Sequence, residues 1–140
     1  MAPLQEPFFI VMNKFIIQVN GTVYGSTASF RALRFTTSVL SLGHQVTRIF
    51  FYQDGVTNSS QLICPASDEY DLHQAWKNLA TEHNIQLINC VSAALRRGVL
   101  SQQDAIENTK SQFNSSAPFE MGGLGELVTG IETSDRLVCF

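Results

Sequence analysis

Three cysteines in 140 residues do not make a disulfide framework: Cys64, Cys90 and Cys139 are odd in number, and no CxxC spacing occurs. A chain of this length buries a core without covalent struts, so the thiols are free to pack or to react. Their pattern is that of a protein kept in a reducing compartment, and cytoplasm is the expected location. Charge is sparse as well. Nine Lys and Arg against twelve Asp and Glu leave a net charge of −3. The basic residues are scattered, which argues against direct nucleic-acid binding by this chain. Long hydrophobic runs are missing too. Phe8–Met12 is short, has no basic residues before it and is broken by Asn13-Lys14, so it reads as neither a signal peptide nor a membrane span. Residues 1–11 are expected to be a disordered N-terminal extension, and residues 12–140 the folded domain.

Several catalytic signatures are also lacking. There is no Walker A sequence, no GxGxxG flanked by a strand and no GxSxG. His44, His73 and His83 show no ligand spacing with one another or with cysteine, so neither a metal nor a cofactor is expected. His44 reads as a residue just past a helix end, the other two as helix surface. No internal repeat or low-complexity linker appears, and Ser111–Pro118 is the most loop-like stretch.

What the chain does contain is an alternation of strand and helix patterns. Lys14–Asn20 is a β-branched and aromatic run ending at Gly21. From Ser26, Phe30, Leu33, Val39, Leu40 and Leu42 fall mostly at helical spacings, with Gly43 as the stop. A second strand lies in Gln45–Gly55, closed by the turn pair Asp54-Gly55, and a polar loop follows in which Pro65 forbids helix. A helix over Asp68–His83 is predicted, with Ser67 before it, an acidic first turn and a core stripe of Leu72, Trp76 and Leu79. "IQLINC" is a third strand leading straight into "VSAALRRG", a short helix. A helix over Leu124–Thr133 and the strand "RLVCF" complete the reading. Near-continuous apolar strands alternating with helices predict a single-domain α/β fold: an open, mainly parallel sheet with helices on both faces.

In that architecture reactive groups collect beyond the carboxyl ends of the strands. Cys90, the loop Gly21–Ser26 and the loop Gln53–Asn58 belong to that edge. A thiol in the first turn of a helix meets unpaired N–H groups and the positive end of the helix dipole, and both favour the anion. For Cys90 the candidate donors are the amides of Val91 and Ser92, which would also steady a persulfide. Arg96 and Arg97 lie about 10 Å further along the helix axis and are not direct partners. Position alone leaves a reactive Cys90 and a merely packed one both open. Cys139 reads as core, and Cys64, before Pro65, as an exposed bystander. "NGTVYGST" is either a phosphate cradle or a plain turn. "GGLG", Gly122–Gly125, either lines a site or simply opens a helix.

Five ordered segments, "FFYQDGVTN", "PASDEYDL", "NCVSAALRRGV", "GLGELV" and "DRLVCF", together resemble the DsrE/TusD family of small sulfur-relay proteins. The resemblance covers residues 12–140 and implies a DsrE-like, flavodoxin- or Rossmann-like layered fold. It implies a cytoplasmic sulfurtransferase serving 2-thiolation of the tRNA wobble uridine. Cys90, alone at the family's cysteine position, would accept sulfane sulfur as a persulfide and pass it to an acceptor cysteine. It further implies a heterohexamer with TusB-like and TusC-like paralogues, a TusA-like donor and a TusE-like acceptor. Two alternatives stand beside it: a DsrE-type subunit of oxidative sulfur metabolism, and a non-catalytic assembly subunit. A flavodoxin-like nucleotide binder is a more distant third.

Overall fold

The computed structural model describes residues 11–140. Of the extension expected at residues 1–11, all but Val11 lies outside the described residues. The strands are β1 (Lys14–Val19), β2 (Gln45–Phe51), β3 (Gln86–Cys90), β4 (Phe119–Gly122) and β5 (Arg136–Cys139). They form one sheet in the order β4-β3-β2-β1-β5, and every pairing is parallel. The helices are α1 (Ala28–Ser41), α2 (Leu72–His83), α3 (Val91–Arg96), α4 (Gln102–Glu107) and α5 (Leu124–Glu132), and a 3₁₀ helix spans Gln53–Ser59.

Strand alternation assigns the two sheet faces. Phe15, Ile17, Val19, Phe51, Leu87, Asn89 and Phe119 share the face on which α1 and α2 lie, with Phe15 against Phe35 and Phe51 edge-on to Trp76. Ile16, Arg48, Phe50, Ile88, Cys90 and Gly122 share the other, which α5 covers. A Cβ on Gly122 would lie 2.9 Å from Glu126 Cγ and 3.0 Å from Ile88 Cγ2, so the turn from β4 into α5 fits closely there only without a side chain. Arg48 joins α5 to the sheet by a 3.1 Å ion pair with Glu126, and it also bonds Gln86 on β3.

The expected parallel α/β sheet is therefore present, with helices on both faces. The stripe Leu72, Trp76 and Leu79 is buried as expected. Other expectations are corrected. The second helix begins at Leu72, not Asp68, because the Asp71 carboxylate accepts a 3.0 Å bond from the Gln74 amide and caps it there. Asp54-Gly55 is not a closing turn but part of the 3₁₀ helix, and the supposed polar loop after it begins inside the protein, with Asn58 and Ser59 fully buried. Sequence patterning passed over α4 and β4, both short: α4 is held by a capping box between Ser101 and Asp104, and β4 has four residues. Phe30 and Leu42, placed on the apolar side of α1, are exposed, and the buried side is Ala28, Ser29, Ala32, Leu33, Thr36 and Val39. Cys139 is exposed rather than core, since β5 is an edge strand.

Candidate functional site

The 3₁₀ helix sits across the carboxyl ends of the central strands. Gly55 makes this possible, because a Cβ there would fall 1.8 Å from the carbonyl oxygen of Val19 at the end of β1. Asn58 then anchors the segment from within. Its Oδ1 accepts from Trp76 Nε1 at 3.1 Å, and its Nδ2 donates to Ser29 Oγ and to the Gly55 carbonyl, each at 2.9 Å. Its main-chain oxygen meets His73 Nδ1 at 2.8 Å, and the His73 ring stacks on Phe119. His73 is thus part of the packing rather than plain helix surface.

Cys90 ends β3, one strand in from the sheet edge, and it is the N-cap residue of α3 with extended backbone (φ −64°, ψ 114°). The residue is 4% exposed and belongs to the hydrophobic core cluster. It makes no side-chain capping bond, so no bond joins the sulfur to the first-turn amides, among which those of Val91 and Ser92 were the expected cradle. Its register partner on β4 is Gly122, whose missing side chain leaves room that Glu126 of α5 and Ile88 of β3 fill. Arg97, as expected, is no direct partner: it reaches Asp54 on the 3₁₀ helix at 2.7 Å and the Ala93 carbonyl at 3.0 Å.

The three segments expected to share the carboxyl edge do so. The loop Gly21–Ser26 is tied to the 3₁₀ helix by Val23 N–H donating to Thr57 Oγ1 at 3.0 Å and by Thr22 Oγ1 at 3.3 Å from the same hydroxyl. The loop's main chain is also used inside the protein, since Ser29 Oγ donates to the Gly21 carbonyl at 2.8 Å. The 3₁₀ helix joins β3 through Asn89 Nδ2, which donates to Ser59 Oγ at 2.7 Å. Cys64 is exposed, as expected, and its thiol faces the Leu62 carbonyl at 3.3 Å. Cys139 lies at the end of the edge strand, three strands away from β3. Sequence reasoning missed Asn58, Ser59 and Asn89. The signal for Asn89 was available, as it is an amide between apolar Ile88 and Cys90 at the end of a strand run; "TNSS" simply has the composition of a loop.

No helix among the described residues is long and apolar enough to cross a membrane. Among the described residues there is also no cluster of His, Cys, Asp and Glu suited to a metal ion.

Comparison with known proteins places this architecture. The structure superposes on the crystal structure of the ychN protein from E. coli with a TM-score of 0.73, covering 92% of this chain and 100% of that one at 24% identity, a likeness of fold. At the sequence level, the chain is 46% identical over 127 residues to a sulfurtransferase TusD homolog of Vibrio vulnificus, covering 91% of this chain and 97% of the relative. It is 44% identical over 126 residues to sulfurtransferase TusD of Proteus mirabilis, covering 90% and 97%. A sulfurtransferase TusD homolog of Pseudomonas aeruginosa matches at 44% over 115 residues, 82% and 88% of the two chains. The pattern of the DsrE/DsrF-like family runs through residues 13–140, from the start of β1 to the last residue. With the fold and the near-full-length similarity in agreement, the chain belongs to the DsrE/DsrF-like family.

Proposed function

We propose that this protein is a sulfurtransferase of a sulfur relay, with Cys90 as the carrier and 2-thiolation of the tRNA wobble uridine as the process it serves. The observation that carries the reading is the near-full-length likeness to proteins named sulfurtransferase TusD, joined to a free cysteine at the carboxyl end of an interior parallel strand. The chemistry is thiol exchange at sulfur and calls for no cofactor. The Cys90 thiolate attacks the outer sulfur of a donor persulfide; the new S–S bond forms as the donor's S–S bond breaks, and the donor leaves as thiolate. The acceptor's thiolate then attacks the outer sulfur of the Cys90 persulfide, takes it over and returns Cys90 as thiolate. No net oxidation occurs.

Such a relay works within a complex, and the surface supports one. α5 is apolar along most of its length, yet only Gly130 is buried, while Leu124, Val128 and Ile131 stand exposed at helical spacing with Leu137 of β5 also exposed. A helix this apolar is normally a covered one. TusB-like and TusC-like paralogues are the proposed permanent partners, a TusA-like protein the donor and a TusE-like protein the acceptor.

A second reading is favoured by one observation: with 4% exposure, Cys90 fits a structural thiol in an assembly subunit. The two separate on one experiment. The protein is incubated with a cysteine desulfurase, cysteine and a loaded TusA-type carrier, beside Cys90→Ser, and peptide masses are read. Gain of sulfur on the Cys90 peptide, reversed by reductant and missing in Cys90→Ser, is the expected result. No gain with partner subunits present and the carrier loaded would leave the assembly role.

A further inference from the structure

Asn89 immediately precedes Cys90 in a strand whose neighbouring residues Leu87 and Ile88 are buried and apolar. Its carboxamide is fully buried, with Nδ2 on Ser59 Oγ at 2.7 Å, and Oδ1 has no partner in the structure as described. Ser59 spends its own proton on the Val56 carbonyl at 2.9 Å, so the lone pair offered to Asn89 points in one direction. The 3₁₀ helix that carries Ser59 is itself anchored, by Asn58 to Trp76 and Ser29 and by Gly55 against the end of β1. Beyond Cys90, Arg97 at the end of α3 reaches the same helix through Asp54. Cys90 therefore lies between two ties to one anchored segment. One is on the opposite sheet face and the other at the far end of α3.

A buried acceptor without a partner lowers stability, whereas replacing both members of such a pair by apolar groups is close to neutral. Stability alone thus gives no reason for Asn at this position. We propose that Asn89 is a positioning residue: through Ser59 it fixes the carboxyl end of β3 to the 3₁₀ helix and so sets the direction in which Cys90 Sγ meets a sulfur donor. The inference rests on Cys90 being the relay thiol.

The test follows sulfur uptake at Cys90 from inorganic polysulfide by peptide mass, together with melting temperature. The proteins are wild type, the double variant Asn89→Leu/Ser59→Ala, and Ser59→Thr, which keeps the hydroxyl. The double variant removes both polar groups at once, so it is expected to melt at or above the wild-type temperature yet to load about tenfold more slowly, the scale of a misdirected reacting group. Ser59→Thr should load at close to the wild-type rate. A double variant that loads as fast as wild type, or faster because a buried thiol has loosened, overturns the proposal. Should the double variant not fold, Ser59→Ala alone, which strands the Asn89 amide and is expected to melt lower, is read on loading alone at a temperature where it is folded. Slower loading than wild type is expected, and loading at the wild-type rate overturns the proposal. Wild type that takes up no sulfur at Cys90 defeats the relay reading itself, and the positioning role with it, a result distinct from equal loading in both proteins.

Discussion

Asn58 illustrates how much one side chain holds together at this sheet edge. It bonds the Trp76 indole, the Ser29 hydroxyl and the Gly55 carbonyl, and all of this is out of reach of solvent. Asn58→Ala would leave the Trp76 indole N–H buried without a partner and take a donor from both Ser29 Oγ and the Gly55 carbonyl. The expected cost is about 3 kcal/mol, since an orphaned buried polar group alone costs on the order of 1–3 kcal/mol. Urea unfolding should show a lower midpoint at an unchanged slope; a midpoint within error of wild type would mean that water replaces the amide. The contrast with Asn89 is instructive. Asn58 uses its oxygen and its amide nitrogen, whereas Asn89 leaves one acceptor idle. The first is explained by stability, and the second is not.

At the scale of elements, helix limits are set by caps rather than by the acidic run that precedes α2. Asp68 and Glu69 lie outside the helix, and Asp71 supplies the capping carboxylate. Asp71→Ala is expected to destabilise the protein by about 1 kcal/mol, measurable as a fall in melting temperature, whereas Asp68→Ala should leave it within about 0.5 kcal/mol. Equal effects from the two would place the electrostatics of the whole acidic run above the single cap. The 3₁₀ helix teaches a related lesson. Thr57, Asn58 and Ser59 are residues that favour turns because they bond the nearby main chain, and they do so here: Thr57 Oγ1 donates to the Asp54 carbonyl and Ser59 Oγ to that of Val56. The same chemistry that marks a loop in sequence makes this segment self-satisfied enough to be buried.

For the whole molecule, the uncovered feature is the outer flank of α5, where Leu124, Val128 and Ile131 are exposed at 49%, 53% and 40%. This flank and Cys90 lie on the same side of the sheet, so a subunit seated on α5 would stand beside the thiol's face. Val128→Asp is expected to leave the melting temperature of the isolated chain nearly unchanged, because the side chain makes few internal contacts, and to reduce concentration-dependent association in light scattering. An isolated wild-type chain that stays monomeric at high concentration would remove the case for a sticky face.

The main alternation of strands and helices, though not α4, β4 or the 3₁₀ helix, the parallel sheet, the Trp76 stripe and the position of Cys90 at a strand's carboxyl end were determined by the sequence itself. Each depends on periodicity and on local turn chemistry, which are properties of neighbours along the chain. The resemblance in five ordered segments added the family. Other matters depended on which strand lies next to which. "LVCF" and "LINC" are similar apolar runs, yet Cys139 is exposed and Cys90 buried, because β5 is an edge and β3 is flanked on both sides. "TNSS" is buried because Gly55 lets the main chain close on the end of β1, a contact between segments more than thirty residues apart. Hydrogen-bond partners such as Asn89 and Ser59 are separated by 30 positions; no local pattern encodes their meeting, and only the folded chain brings them to bonding distance.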